Sequence, residues 1–245
     1  MSNYYHGAKA SKQATSVSTP VVADSSIHLI VGTAPVHTVG GKVNEPVYAS
    51  NYAEAVAAMG YSDEWDKYDI CEEIYSSFKL YSNGPIIMVN VLDPAKHLKG
   101  AETVEKTLAG GITELPYEAV SDTVEVKGYD GEDSLTETYT RGEDYDLFYT
   151  DGVLRLERIE SGKIKADNAR LNIKFNSVDP SKVTKKEIIG GYDTNTNKSS
   201  GFELVDSVYP KYGVIPTLFL APNFSTDSEA VSYTHLRAHE TLANL

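Results

Sequence analysis

The residues that could carry chemistry are few and scattered. Cys71 is the single cysteine, which excludes an internal disulfide and a cysteine-held metal cluster. It shares a helical spacing with Ile74, Tyr75 and Phe78, so it reads as a small core residue rather than a nucleophile. His6, His28, His37 and His97 have no carboxylate at fixed spacing. His235 and His239 stand four residues apart, a spacing that would suit a metal. Asp93, Lys96 and His97 follow the apolar run Ile86–Leu92. An α/β enzyme places its reactive groups at such strand ends, although a polar strand exit is the simpler reading. Glu143, Asp144 and Asp146 lack the ordered spacing of a calcium loop and read as a solvated strand edge. Asp130, Glu132 and Asp133 read as a charged turn. Gly40-Gly41-Lys42 does not join a strand to a helix, so it reads as a flexible loop rather than a phosphate cradle. No G-x-x-x-x-G-K-[ST], G-x-G-x-x-G or G-x-S-x-G motif occurs. The sequence therefore assigns no catalytic, cofactor-binding or metal-ligating residue.

Composition narrows the classes further. The chain has 245 residues, 41% hydrophobic and 23% charged, enough for one large domain or two modest ones. Its net charge of −13 is the wrong sign for a phosphate-binding surface, so nucleic acid is not an expected partner. No apolar run approaches the roughly 20 residues that span a bilayer. Met1–Ala14 is polar and lacks the apolar core of a signal peptide, so folding in a cytoplasm is expected. The 17 tyrosines hint at contact surface, because tyrosine is amphipathic.

The elements that would position these residues follow from periodicity. Residues 1–26 read as an extended arm, with Val17, Val21 and Val22 as β-formers around Pro20. Ile27–Gly32 predicts a buried strand and Val47–Ala49 a brief one. Ser50 or Asn51 can cap a helix over about Tyr52–Met59 that Gly60 closes. A second helix is expected from Trp65 to Tyr81, and Asn83-Gly84-Pro85 breaks it. Ile86–Leu92 then suits a central strand covered on both faces. Pro94–Gly111 reads as a polar connection. From Leu115 to Asp179 the sequence alternates with period two, and Asp151-Gly152 marks a hairpin between Tyr145–Tyr149 and Val153–Ile159. Asp130-Gly131 and Ser161-Gly162 are further turn candidates. Val183–Gly201 reads as polar, Phe202–Tyr209 as a short helix and Val214–Leu220 as a second buried strand. The fold class expected is an incomplete α/β core interrupted by an inserted antiparallel β domain and preceded by an extended N-terminal arm. Its divisions fall at 1–26 for the arm, 27–110 for the first part of the core, 111–182 for the β insertion and 183–229 for the resumed core.

The stretch from Val231 to Thr241, VSYTHLRAHET, looks like one reading frame of a common transposon-type sequencing adapter. Leu242 to Leu245 continue it consistently. Residues 230–245 are accordingly expected to be adapter-derived, and the His235/His239 spacing then carries no metal; the alternative is a short amphipathic helix with two histidines. On this expectation the native frame continues past about Glu229.

At the residue level the chain resembles the tail sheath proteins of contractile phages and related particles. The resemblance is carried by His6-Gly7-Ala8-Lys9-Ala10, Thr15-Ser16-Val17, Ile30-Val31-Gly32-Thr33-Ala34-Pro35 and Asn44-Glu45-Pro46-Val47. It continues through the Tyr52–Gly60 helix and Pro85–Pro94, and resumes from Gly201 to Phe224. It implies a structural subunit, not an enzyme, without cofactors, that polymerises helically around a tail tube and contracts. The implied partners are copies of itself, the tube protein and the baseplate, with no nucleic acid and no membrane insertion. The implied location is the virion tail, assembled in the host cytoplasm. The resemblance also implies that the arm, with Thr15, Ser16, Val17, Val21 and Val22, donates a strand to a neighbouring subunit. The C-terminal half of such proteins completes the core and supplies the arm's acceptor. Two other readings remain open: an α/β enzyme whose active residues lie outside this stretch, and a β-rich binding module formed by Leu115–Asp179.

Overall fold

A computed structural model describes residues 27–129 and 134–243. The arm residues Thr15, Ser16, Val17, Val21 and Val22 lie outside the described residues, as do His6 and the Asp130-Gly131 turn with Glu132 and Asp133. The described chain is a mixed α/β structure with several small sheets and few helices.

Strand β1 (His28–Gly32) is followed by β2 (Val47–Ala49) and helix α1 (Tyr52–Met59). α1 starts and stops where Asn51 and Gly60 place its caps. The Asn51 side chain accepts the Glu54 amide at 3.0 Å, and the Glu54 carboxylate accepts the Ser50 amide at 2.8 Å, which satisfies amides left free at a helix start. Gly60 turns the chain at φ 75, a conformation that favours glycine.

The next helix starts later than expected. α2 covers Asp69–Tyr75, and Ser76–Leu80 widens into a π-helix. Residues 65–67 form a turn instead, because the Ile70 amide bonds the Thr33 carbonyl at 3.1 Å and pins the helix start to the end of β1. The Ser77 hydroxyl lies 2.6 Å from Glu73 Oε1, and the Ser76 hydroxyl 3.2 Å from the Glu73 carbonyl. These bonds compete with regular helix geometry at the point where it widens.

Strand β3 (Ile86–Asn90) is buried at every residue, as a central strand should be. Seven antiparallel strands come next: β4 (Glu102–Thr107), β5 (Ile112–Glu114), β6 (Glu125–Tyr129), β7 (Leu135–Tyr139), β8 (Tyr145–Thr150), β9 (Val153–Arg158) and β10 (Arg170–Phe175). The chain then forms α3 (Lys185–Ile189), a hairpin of β11 (Gly191–Asp193) with β12 (Lys198–Ser200), a 3-10 helix over Gly201–Ser207, and α4 (Val208–Tyr212). It ends with β13 (Leu218–Leu220) and α5 (Ser228–Ala243).

The first sheet has the order β13-β1-β3-β2, with β1 parallel to both β13 and β3, and β2 antiparallel to β3. Alternate residues of β1 and β3 serve two faces. Leu29, Val31, Ile87 and Val89 meet Ile188, Phe202, Val205 and Val208 on one side. Ile30, Ile86 and Met88 meet Ala55, Met59, Ile70 and Ile74 on the other. The middle strands form a second core. A four-stranded sheet, β4-β10-β6-β7, faces a three-stranded one, β5-β9-β8. Leu171, Ile173 and Phe175 of the first pack with Leu147, Leu154 and Leu156 of the second. The turn between β8 and β9 takes positive φ at both Asp151 and Gly152, the geometry that matches strand twist in a two-residue hairpin.

Several expectations need correction. β4 lies inside the stretch read as a polar connection; it is an edge strand whose only apolar residue is the half-buried Val104. α3 and the β11–β12 hairpin lie inside Val183–Gly201. The Phe202–Tyr209 stretch is mostly 3-10 helix, with α4 beginning at Val208. The run Val214–Leu220 gives a strand only from Leu218, because Pro216 has no amide to pair. β13 is also an edge strand with Leu218 exposed, not a covered one.

The chain enters the β-rich segment and leaves it side by side. Leu98 bridges Val178 antiparallel, the Lys99 amide bonds the Ser177 carbonyl at 2.8 Å, and the Asp179 amide bonds the His97 carbonyl at 2.8 Å. These pairs form a two-stranded stem. Truncating Ile173, which is fully buried at the centre of the second core, is expected to cost about 2–5 kcal/mol. Urea unfolding of Ile173→Ala checks this; a loss below about 1 kcal/mol, typical of surface sites, would mean that the two sheets do not share a packed core.

Candidate functional site

In a sheet with parallel strands, reactive groups belong beyond the carboxyl ends. Here those ends are β1 and β3, and polar side chains do gather there. Thr33 follows β1. Its amide donates to Asp69 Oδ1 at 2.6 Å, and its hydroxyl sits 2.8 Å from the Lys67 carbonyl and 3.1 Å from the same Asp69 oxygen. A Cβ on Gly32 would lie 2.1 Å from Asp69 Oδ1, so a glycine is needed for the carboxylate to approach. Asn90 ends β3. Its Oδ1 accepts the Ala34 and Leu92 amides at 3.0 and 3.1 Å, and its Nδ2 donates to the Leu92 carbonyl at 2.9 Å. Both side chains are spent on main-chain groups of the diverging strands.

Asp69 is the residue that the sequence reading missed, since a single aspartate opening a helix carries no signal of burial. It is 1% exposed, and its Oδ2 has no hydrogen-bond partner. Burial pushes its carboxyl up to about 6, although the Thr33 amide and hydroxyl pull the other way. A cavity of about 250 Å³ beside it is lined by Thr33, Asp66, Lys67, Ser181 and Asn223, among others. Its hydroxyls are engaged, Thr33 as above and Ser181 with Asp179 Oδ1 at 2.6 Å. The Lys67 ammonium is bound to Glu64 and Glu118 at 2.8 and 2.9 Å. The Cys71 thiol is buried, and burial raises it to about 12, which leaves almost no thiolate near neutrality.

Asp93, Lys96 and His97 do come together. His97 Nδ1 accepts the Asp93 amide at 2.9 Å, Lys96 pairs with Asp93 at 3.2 Å, and His97 Nε2 is 3.9 Å from Glu187. This arrangement closes a turn and holds no hydroxyl or thiol. His28 lies elsewhere, 2.7 Å from Glu73. Ser77 also bonds Glu73, so the hydroxyl touches the carboxylate and not the imidazole, the wrong order for a nucleophile and its base. Gly41 is packed against α1, where a Cβ would meet the Ala58 carbonyl at 2.3 Å; that explains the glycine without a phosphate. Asp144 corrects the reading of its cluster as a solvated edge. It is 2% exposed and accepts the Thr140 and Lys163 amides, each at 2.8 Å. The Thr140 amide, with help from that of Lys163, holds its carboxyl below the usual range. Among the described residues no group of three or more His, Cys, Asp or Glu could hold a metal ion, and no helix is long and apolar enough to cross a membrane.

What the surface offers instead is contact. Leu80 and Tyr81 stand side by side, 59% and 77% exposed, at the end of the π-helix. Leu218 is exposed on the β13 edge and Tyr209 on α4. The first sheet ends in two strand edges, β13 and β2.

No family model matches the chain. A curated tail sheath protein of the Burkholderia phage BcepMu is 28% identical over 228 residues, 92% of this chain and 44% of that protein. The chain thus spans less than half the length of the curated relative it matches. The residue-level resemblance to phage tail sheath proteins therefore extends along nearly the whole chain and supports a structural tail role.

Asp69 generates a signed prediction. Its folded-state value lies above the 3.8 of a free aspartate, so the folded state binds the proton more tightly and stability falls as pH rises from about 4 to 6. The full cost is about 3 kcal/mol above that window. In Asp69→Asn this contribution is absent. The variant's stability relative to the parent, from urea unfolding across pH 4 to 7, is expected to rise by about that amount. A flat difference would show that Asp69 is not buried as a charge.

Proposed function

We propose that the chain is part of a contractile phage tail sheath subunit, a structural protein that polymerises helically around a tail tube and shortens to drive the tube through an envelope. The observation that carries this reading is the similarity to a tail sheath protein along 92% of the chain. The use of Asn90 and His97 in holding main-chain amides supports it, because an enzyme would leave such groups free for a substrate. Head-to-tail contacts that do not close generate a helical filament, and the net charge of −13 keeps free subunits apart until specific contacts form.

In this reading the arm over 1–26 donates a strand to the next subunit through Thr15, Ser16, Val17, Val21 and Val22, with backbone hydrogen bonds supplying affinity. The β-rich segment is an inserted domain on the outside of the tail, within divisions near 111–182. The tube protein and baseplate are the other partners, and assembly takes place in the host cytoplasm before the subunit joins the virion tail. Arms shared between subunits keep them linked while the cores move between extended and contracted packings.

Negative-stain microscopy tests this on a chain extended to the full length of the relative. Long regular tubes are expected, and deletion of residues 1–26 is expected to leave short or no tubes. A discrete soluble particle from the extended chain would overturn the sheath reading. Tubes that persist without residues 1–26 would overturn the role given to the arm.

A further inference from the structure

The β-rich segment touches the α/β half at two places. One is the stem of main-chain bonds at 97–99 and 177–179. The other is a lateral brace of aromatic rings. His37, just after β1, lies edge-on to Tyr117 and Tyr149, with ring centroids 5.9 and 6.1 Å away. Tyr117 also meets Tyr68 edge-on at 6.1 Å, and its hydroxyl donates to the Tyr61 carbonyl at 2.8 Å. Lys67 and Glu118 add one ion pair across the same joint at 2.9 Å.

His37 is the chemically asymmetric member. Its Nε2 lies 2.9 Å from the Tyr117 carbonyl, an acceptor only, so in the neutral ring that nitrogen carries the hydrogen. Its Nδ1 is then the free base, and it is buried with no partner. A second proton must arrive at Nδ1, creating an enclosed donor without an acceptor and a charge among rings. We propose that His37 is an acid-sensitive latch: protonated at Nδ1, it releases the Tyr117–Tyr149 brace and frees the β-rich segment to pivot on its stem.

The surroundings agree. Burial lowers the affinity of His37 for its proton, against smaller opposing effects of the Tyr117 carbonyl and Glu118. The phenols at the joint move away from the acid range. Burial pushes the Tyr61 phenol up to about 12, and raises those of Tyr117, Tyr149 and Tyr52. Burial acts to raise Glu118, but Lys67, the Glu118 amide and Lys99 together outweigh it and keep the carboxylate below its usual range, while Glu64 and Glu118 raise Lys67. Asp151, on the hairpin tip, lines the neighbouring cavity with Tyr52, Tyr61 and Tyr149. The sign follows: a histidine whose folded-state value is depressed withdraws stability as pH falls below about 6.5, the ordinary value. The stem is held by main-chain bonds.

Hydrogen exchange at about pH 7.5 and about pH 5, corrected for intrinsic rates, separates local release from general unfolding. Amides of 117–121 and 147–153 are expected to lose protection at least about tenfold at the lower pH, equivalent to about 1.4 kcal/mol, while those of 86–91 hold. In His37→Gln, which keeps an N–H for the Tyr117 carbonyl but takes no proton, the loss is expected to vanish. Equal loss at 86–91, no loss at the joint, or the same pH response in His37→Gln would overturn the latch. The His37 ring signals, followed by NMR in the unaltered protein, give a check that no variant can confound: titration at or above the ordinary histidine value would also overturn it.

Discussion

A parallel strand pair buried on both faces leaves no water to satisfy its backbone where the strands part. β1 and β3 face this constraint, since their interior residues are fully enclosed. Beyond Gly32 and Asn90 the chains diverge, and each exposed amide must find a partner inside the protein. Asn90 takes the Ala34 and Leu92 amides, and Asp69 takes that of Thr33. The start of α2, the glycine at 32 and the loop over α1 follow from those bonds. The cost is a buried carboxylate with one oxygen unpartnered. The polar cluster at the strand ends is a structural joint whose composition resembles a site.

Much of this architecture was legible where one apolar face dominates a short segment. β9 and β10 alternate strictly, and the structure buries Leu154, Leu156, Leu171, Ile173 and Phe175. α1 announces itself through Asn51 and Gly60. The most polar edge strands were not legible. β4 has one apolar residue, and β11 and β12 have polar residues or glycine around Tyr192, because an edge needs only main-chain pairing on one side. α3 did carry a signal, since Thr184 and Glu187 make the reciprocal cap of a helix start, but its five residues are too few for a period. The Val214–Leu220 run misled by the opposite route, its apolar content masking a proline and a sheet margin.

The candidate sites divide the same way. That Cys71 is a core residue followed from helical spacing, and its burial agrees. Asp69 and His37 could not be found from spacing, since each gains its character from partners far along the chain, Thr33 in one case and Tyr117 in the other. Long-range polar contacts of this kind leave no local pattern. The abundance of tyrosine was the nearest hint, and Tyr61, Tyr68, Tyr117 and Tyr149 do concentrate at one joint.

The paired entry and exit at Leu98 and Val178 have a consequence for variation among such chains. At the stem, everything between those residues is equivalent to a single hairpin, because opposed residues of an antiparallel pair lie only about 5 Å apart. A tight turn could replace the whole segment without moving β3 or α3, and a larger module could be spliced in at the same two residues. With respect to β3 and α3 the segment is thus a single cassette, set apart from the joint closed by Asp69 and Asn90.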